Sequence, residues 1–127
     1  MALDLEKFVK HLKDNALPGF GEGKCATHVR KALQAGGAFV TPNVASAKNY
    51  GPVLLQIGFR EIEVTDPGSF RFIKGDVMVM QPYTNGNING HVAGYSGSRW
   101  ISDFVQTDFW AGPGYRAEKP AYVVYRY

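Results

Sequence analysis

Cysteine is nearly absent from this sequence, which has one such residue, Cys25, among 127. A single cysteine excludes an intramolecular disulfide and a zinc site built from several cysteines. The Cys25 thiol is therefore either a small inert side chain of the core or a reactive group. What the rest of the chain places around it decides between the two.

Long hydrophobic runs are missing as well. No stretch approaches the roughly 20 consecutive apolar residues of a membrane span. Residues 1–7 also lack the apolar core of a secretory signal peptide. We therefore expect a protein made in the cytoplasm, whose export would use a route that the sequence does not display. Nothing in it implies a metal or another cofactor.

The sequence has no concentrated run of basic residues. Its 14 Lys and Arg against 11 Asp and Glu give a net charge of +3 and a pI of about 9.0, but they are scattered. Nucleic-acid binders usually show a basic stripe or a recognisable module, so we do not expect nucleic acid as a partner. A mildly positive protein is attracted to anionic polymers such as a bacterial cell wall.

The length and composition predict a single domain over residues 1–127, with hydrophobic residues at 45% and charged residues at 20%. Apolar spacing predicts one helix over 3–16 and another over 25–35. A third helix is expected to open at Thr41-Pro42 and run to about Asn49. After an interruption at Gly51-Pro52, one more helical turn is predicted to end at Ile57.

Beyond Phe59 the pattern changes from helical to strand-like. The predicted strands cover residues 60–65, 76–81, 91–95, 100–104 and 122–127, and loops cover 82–90 and 110–114. Helices followed by an antiparallel sheet indicate an α+β fold.

Cys25 stands where a glycine-rich turn, residues 19–23, gives way to the second helix. Free N–H groups and the positive end of the helix dipole favour the thiolate, which is the nucleophilic form. We therefore expect Cys25 to be a nucleophile whose own backbone N–H can stabilise an oxyanion. Candidates for a second donor in the loop over 82–90 are Tyr83, Asn87 and Asn89.

A cysteine nucleophile at neutral pH needs a base, and histidine suits this best. His11 lies among charged neighbours and is expected on the surface. His28 is close to Cys25 in sequence, but helical side chains lean toward the N-terminus, and one in the first turn usually points to solvent or packs locally. His91 opens a strand directly after a glycine- and asparagine-rich loop. We therefore predict His91 as the base.

A third residue should orient the imidazole. The strand after the turn at 96–99 is expected to run back beside His91. A two-residue turn would place Ser102 on the face of His91, and a three-residue turn with a bulge would place Asp103 there. Periodicity leaves both open, and chemistry favours Asp103 because a carboxylate also stabilises the imidazolium.

We expect loops 82–90 and 107–116 to form the walls of a substrate cleft. The candidate substrate-binding residues are Tyr83, Asn89, Trp110 and Tyr115. Trp110 and Tyr115 could stack on substrate, and packing at the sheet edge is the equally good alternative.

Three motifs together resemble the NlpC-type and CHAP cell-wall amidases. They are Gly-Lys-Cys-Ala-Thr-His-Val-Arg at 23–30, Lys-Gly-Asp-Val at 74–77 and Gly-His-Val-Ala-Gly-Tyr at 90–95. The resemblance implies a papain-like fold and hydrolysis of a peptidoglycan amide bond by Cys25 and His91. In that family a polar residue about a dozen positions after the histidine completes a triad, which implies Asp103. Two features depart from the family: its frequent Asp-Cys-Ser-Gly is replaced around Cys25, and the tyrosine often found upstream is absent.

The small size, single domain and missing signal peptide resemble the amidase effectors of type VI secretion. Such effectors are injected into the periplasm of a rival and neutralised by an immunity protein. The resemblance thus implies an antibacterial toxin with peptidoglycan as substrate and an immunity protein as partner. A phage endolysin, a cysteine protease or deamidase acting on proteins, and a non-catalytic wall- or protein-binding domain with a buried Cys25 are the alternatives.

Overall fold

The fold is described from a computed structural model, which covers residues 2–40, 44 and 46–127. Its helices are α1 (Leu5–Asp14), α2 (Cys25–Ala35), a 3₁₀ turn (Ala47–Asn49), α3 (Tyr50–Gln56) and α4 (Pro113–Glu118). Its strands are β1 (Arg60–Ile62), β2 (Val77–Met80), β3 (His91–Tyr95), β4 (Trp100–Ile101) and β5 (Tyr122–Arg126). The predicted α+β class is confirmed.

The first two helices follow the sequence prediction closely. The carboxylate of Asp4 caps α1 by accepting a hydrogen bond from the backbone N–H of Lys7 at 3.1 Å. Helix α2 covers the predicted residues and buries the side chains of Val29, Ala32 and Leu33 completely. The two helices pack on each other, and α2 also packs on β3. This places the beginning of α2, and with it Cys25, against the sheet.

The third helix differs from the prediction. Its predicted start at Thr41 and Pro42 lies outside the described residues. Helix α3 then runs without a break through Gly51-Pro52, where an interruption was expected. Pro52 is tolerated because it lies in the first turn of α3, where its missing N–H has no intrahelical partner to lose.

The sheet has the strand order β1-β5-β2-β3-β4, and neighbouring strands are antiparallel. Alternate residues of β2 face opposite sides, and both sides are buried. Val77 and Val79 pack on the helices, whereas Met78 and Met80 pack on an aromatic layer that includes Trp100, Phe109 and Tyr115. The sheet is thus the middle of three layers.

Three elements after Phe59 depart from the prediction. Tyr95 pairs with Trp100, so the turn at 96–99 has four residues, and β4 ends at Ile101 instead of reaching residue 104. Strand β1 is also short and ends at Ile62. The predicted loop at 110–114 instead contains the start of α4, since Pro113 occupies the first turn, where proline is favourable.

Candidate active site

Cys25 is the first residue of α2, and its thiol is half-buried. Burial raises the pKa of this thiol above its ordinary value of 9.0. The backbone N–H of Val92 opposes that rise, the charge of Asp103 adds to it, and the N–H groups of Ala26 and Cys25 oppose it more weakly. The N–H groups at the helix start thus favour the thiolate as expected, but burial outweighs them, and the net direction favours the thiol.

His91 is the first residue of β3 and is 5% exposed. Its Nε2 lies 2.7 Å from Oε1 of Gln106. Burial lowers the pKa of His91 below its ordinary value of 6.5, although the bond to Gln106 and the charge of Asp103 act in the opposite direction. The imidazole is therefore neutral at neutral pH and able to accept a proton.

The amide of Gln106 fixes the tautomer of His91. Its Nε2 donates to the backbone carbonyls of Asp108 and Phe109, each at 3.1 Å. Both amide hydrogens are thereby used, so Oε1 is the atom that faces the imidazole and must accept from it. His91 consequently carries its proton on Nε2 and keeps Nδ1 free as a base.

A tight reversal of the chain after β4 brings Gln106 to this position. Ser102 N–H donates to the Phe104 carbonyl at 3.0 Å, and Gln106 N–H donates to the Trp100 carbonyl at 2.8 Å. Sequence reasoning missed Gln106 because it extended β4 through this reversal. The available signal was chemical, since an amide is an established alternative to a carboxylate in cysteine hydrolases.

Asp103 contacts the turn directly before Cys25. Its Oδ2 accepts from the backbone N–H groups of Glu22 at 2.8 Å and Lys24 at 2.9 Å, and the hydroxyl of Ser102 donates to its Oδ1 at 3.3 Å. Burial alone would raise the pKa of Asp103, but the two backbone N–H groups hold it below its ordinary value of 3.8. Among the described residues Asp103 makes no hydrogen bond to His91, so Gln106 occupies the orienting position predicted for Asp103 or Ser102.

Cys25 and His91 line one cavity of about 140 Å³, together with Asp103 and Tyr115. Asn87 and Gly90 come from the predicted loop wall at 82–90, and Ala111 comes from the wall at 107–116. Among the described residues that line it, neither His11 nor His28 appears. The cavity therefore brings together a thiol, a neutral imidazole and a carboxylate.

An adjoining cavity of about 290 Å³ contains Trp110 and Arg116 and shares Phe20, Phe104 and Ala111 with the first. Trp110 and Tyr115, two of the predicted substrate-binding residues, thus lie in neighbouring parts of one cleft.

The other two predicted substrate-binding residues, Tyr83 and Asn89, contact other side chains of the protein. The ring of Tyr83 packs edge-on against Tyr115, with centroids 4.9 Å apart. Oδ1 of Asn89 accepts from the hydroxyl of Ser46 at 2.8 Å, which ties the loop to the segment before α3. Neither is among the described residues that line the two cavities, so their contacts support the walls.

Over residues 2–40, 44 and 46–127, no three His, Cys, Asp or Glu side chains group as they would to hold a metal ion. Within the same ranges, no helix combines the length and apolar character needed to cross a membrane.

Solved structures show what this chain is similar to. The effector in the native type VI effector–immunity complex Tae3–Tai3 from Ralstonia pickettii is 42% identical, covers 98% of both chains and has a TM-score of 0.84. The chain belongs to the Tae3 family of type VI effectors. The selenomethionine form of that complex gives 43% identity over 94% of this chain and 99% of the other, with a TM-score of 0.79.

The sequence-based resemblance to type VI effectors is confirmed by membership in the Tae3 family. No protein-family model and no curated protein matches the chain. The NlpC-type or CHAP assignment stays a prediction.

Proposed function

We propose that this protein is an antibacterial type VI effector that hydrolyses an amide bond in the stem peptides of peptidoglycan. The carrying observation is that the Cys25 thiol and the His91 imidazole line one cavity, with the tautomer of His91 fixed by Gln106. The motifs around both residues resemble cell-wall amidases, and the family consists of type VI effectors. Peptidoglycan as substrate and an immunity protein as partner follow from the same proposal.

In the proposed mechanism, Cys25 and His91 begin as a neutral thiol and a neutral imidazole. His91 Nδ1 takes the thiol proton while Sγ bonds to the substrate carbonyl carbon. The resulting imidazolium then protonates the leaving amine as the C–N bond breaks. Water, activated by the neutral imidazole, finally hydrolyses the thioester and restores the thiol.

Gln106 and Asp103 act through these two residues as positioning groups. Gln106 holds the His91 ring and its tautomer. Asp103 holds the turn at Glu22 and Lys24, directly before Cys25. The negative charge of Asp103 also interacts with both reacting groups and favours the imidazolium that forms during the reaction.

The test is digestion of purified peptidoglycan followed by separation of the released muropeptides. We expect the unmodified protein to release fragments with a free stem-peptide amine, and Cys25→Ala to release none. His28→Ala is the matched control, because His28 lies on the same helix outside the cavity lining, and it should digest normally. Identical fragments from the unmodified protein and Cys25→Ala would overturn the amidase assignment.

The rival candidate is a non-catalytic interaction domain, and the raised pKa of the half-buried Cys25 is the observation that favours it. Expression with an added periplasmic signal separates the two. Lysis by the unmodified protein but not by Cys25→Ala supports the enzyme. Equal lysis by both supports a binding protein that acts without its thiol.

A further inference from the structure

Tyr115, in α4, has a hydroxyl group that lacks a hydrogen-bond partner within the described part of the chain. The residue is 9% exposed, and its Oη is buried with no partner among the described residues. A buried hydroxyl left unpaired is unfavourable, so nearly all such groups in proteins are paired. An unpaired hydroxyl in a reactive cavity points to a partner that arrives with the substrate.

The position of Tyr115 matches that requirement. It lines the cavity that contains Cys25 and His91, and its ring lies 5.9 Å from the His91 ring. Tyr83 also packs edge-on against it, with ring centroids 4.9 Å apart. A ring held between two aromatic neighbours needs little further ordering, which is what a preorganised donor requires.

The phenol also keeps its proton. Burial, and then the neighbouring Cys25 and Tyr83, raise the pKa of Tyr115 to about 12. The group is therefore an O–H donor at any pH at which the protein would act. A phenol that stays protonated can donate to a negative oxygen without giving its proton away.

We infer that Tyr115 donates a hydrogen bond to the carbonyl oxygen of the scissile amide and to the oxyanion formed from it. The inference rests on the proposed function, and it supplies the second donor beside the backbone N–H of Cys25. When Sγ bonds to the carbonyl carbon, the π electron pair moves to oxygen, which becomes the oxyanion held by Tyr115. The pair returns as the C–N bond breaks, and the amine leaves with the proton carried by His91.

The test compares Tyr115→Phe with the unmodified protein on soluble muropeptides prepared from purified peptidoglycan. Removing one oxyanion donor should lower kcat by about 10²–10³-fold with little change in KM. The melting temperature should not fall, because the variant loses an unpaired hydroxyl and keeps the ring. Tyr125→Phe is the matched control: Tyr125 is also buried, lies in β5 outside the cavity lining, and should digest normally.

A second measurement separates an effect of Tyr115 on the oxyanion from an effect on the Cys25 thiol. Iodoacetamide alkylates Cys25 by displacement at a saturated carbon, which creates no oxyanion. Tyr115→Phe should therefore be alkylated at the unmodified rate while its amide hydrolysis falls.

A Tyr115→Phe variant with normal kcat, beside an inactive Cys25→Ala, overturns the role of Tyr115 and leaves the amidase intact. Parallel losses in alkylation and hydrolysis also overturn it, since the hydroxyl would then act on the thiol. An active Cys25→Ala overturns the proposed function itself.

Discussion

At the scale of single residues, the Gln106 side chain determines which ring nitrogen of His91 carries the proton. Gln106 donates both amide hydrogens to the carbonyls of Asp108 and Phe109, so its oxygen accepts from His91 Nε2. A carboxylate at the same place would face those two carbonyls without a hydrogen to offer them. This is a physical reason for an amide, and against an acid, at this position.

Gln106→Ala should lower kcat/KM by about 10²–10⁴-fold, the range that a positioned general base contributes. Without the amide, the imidazole can rotate and its other tautomer becomes accessible. Steady-state hydrolysis of soluble muropeptides measures the effect. Gln34→Ala removes a glutamine that likewise donates to a carbonyl, that of Val40, but lies far along α2, and it should leave kcat/KM unchanged. Equal losses in the two variants would show a general effect on folding.

The pH dependence of kcat/KM follows from the neutral resting pair of Cys25 and His91. Burial lowers the pKa of His91 below 6.5, so activity should persist until the pH falls through that lowered value and the base is lost. Burial raises the pKa of Cys25 above 9.0, so the proton destined for the leaving amine is lost only above that value. Both limbs of the profile should therefore lie outside the interval from 6.5 to 9.0.

Thiolate absorbance in the ultraviolet, with the Cys25→Ala spectrum subtracted, checks the same point directly. Little thiolate should be present at neutral pH. A full thiolate signal there would contradict a neutral pair and indicate a preformed ion pair.

The sequence located Cys25 and His91 because each stands at the start of an element. A cysteine after a glycine-rich turn and a histidine after an asparagine-rich loop both carry a local signal. The contact of Gln106 with His91 and the hydrogen bonds of Asp103 have no such local signal, because they depend on where β4 ends. Alternation along a strand cannot show that the chain reverses after Ile101, so the sequence could not predict that Gln106 contacts His91.

At the scale of elements, the backbone of the turn before α2 passes very close to the Asp103 side chain. Gly21 has a φ of +72°, and a Cβ built on it would lie 2.6 Å from Asp103 Oδ2. Gly23 has the same φ of +72°, but a Cβ there would meet nothing within 4 Å. The two glycines differ in their surroundings and agree in backbone conformation, which makes them a matched pair.

Gly21→Ala should therefore be more harmful than Gly23→Ala. Each variant bears a left-handed backbone penalty of roughly 1–2 kcal/mol. Only Gly21→Ala must also displace the Asp103 carboxylate, which loosens the hydrogen bonds to Glu22 and Lys24 before Cys25. Denaturant unfolding and muropeptide hydrolysis should both rank Gly21→Ala below Gly23→Ala. Equal values would show that the contact with Asp103 does not hold the turn.

The elements that the sequence predicted well are those whose pattern is local. Helix α2 was bounded correctly because its apolar face and the glycines after it are adjacent in sequence. Helix α4 was missed because Gly-Pro-Gly was interpreted as a loop, whereas Pro113 begins the helix. The shortness of β1 and β4 reflects how far their partner strands extend, which no local pattern contains.

At the scale of the whole molecule, the last strand lies inside the sheet and not at its edge. Strand β5 pairs with both β1 and β2, so it joins the two parts of the sheet. A salt bridge reinforces this junction. Arg126 donates from Nε and Nη2 to the two carboxylate oxygens of Asp76, each at 2.9 Å, and the Asp76 side chain is 0% exposed.

Asp76→Ala should lower the free energy of unfolding by about 1.5–3 kcal/mol, because it removes the charge-assisted hydrogen bonds that a fully buried carboxylate accepts from the partly exposed Arg126. It also removes the acceptor for the Ile73 backbone N–H, which the Asp76 carboxylate binds at 2.9 Å. Glu6→Ala breaks the exposed pair with Lys74 and should cost less than about 1 kcal/mol. Urea unfolding followed by circular dichroism measures both. A cost for Asp76→Ala as small as that for Glu6→Ala would mean that strand pairing alone fixes β5 and that the buried pair adds no stability.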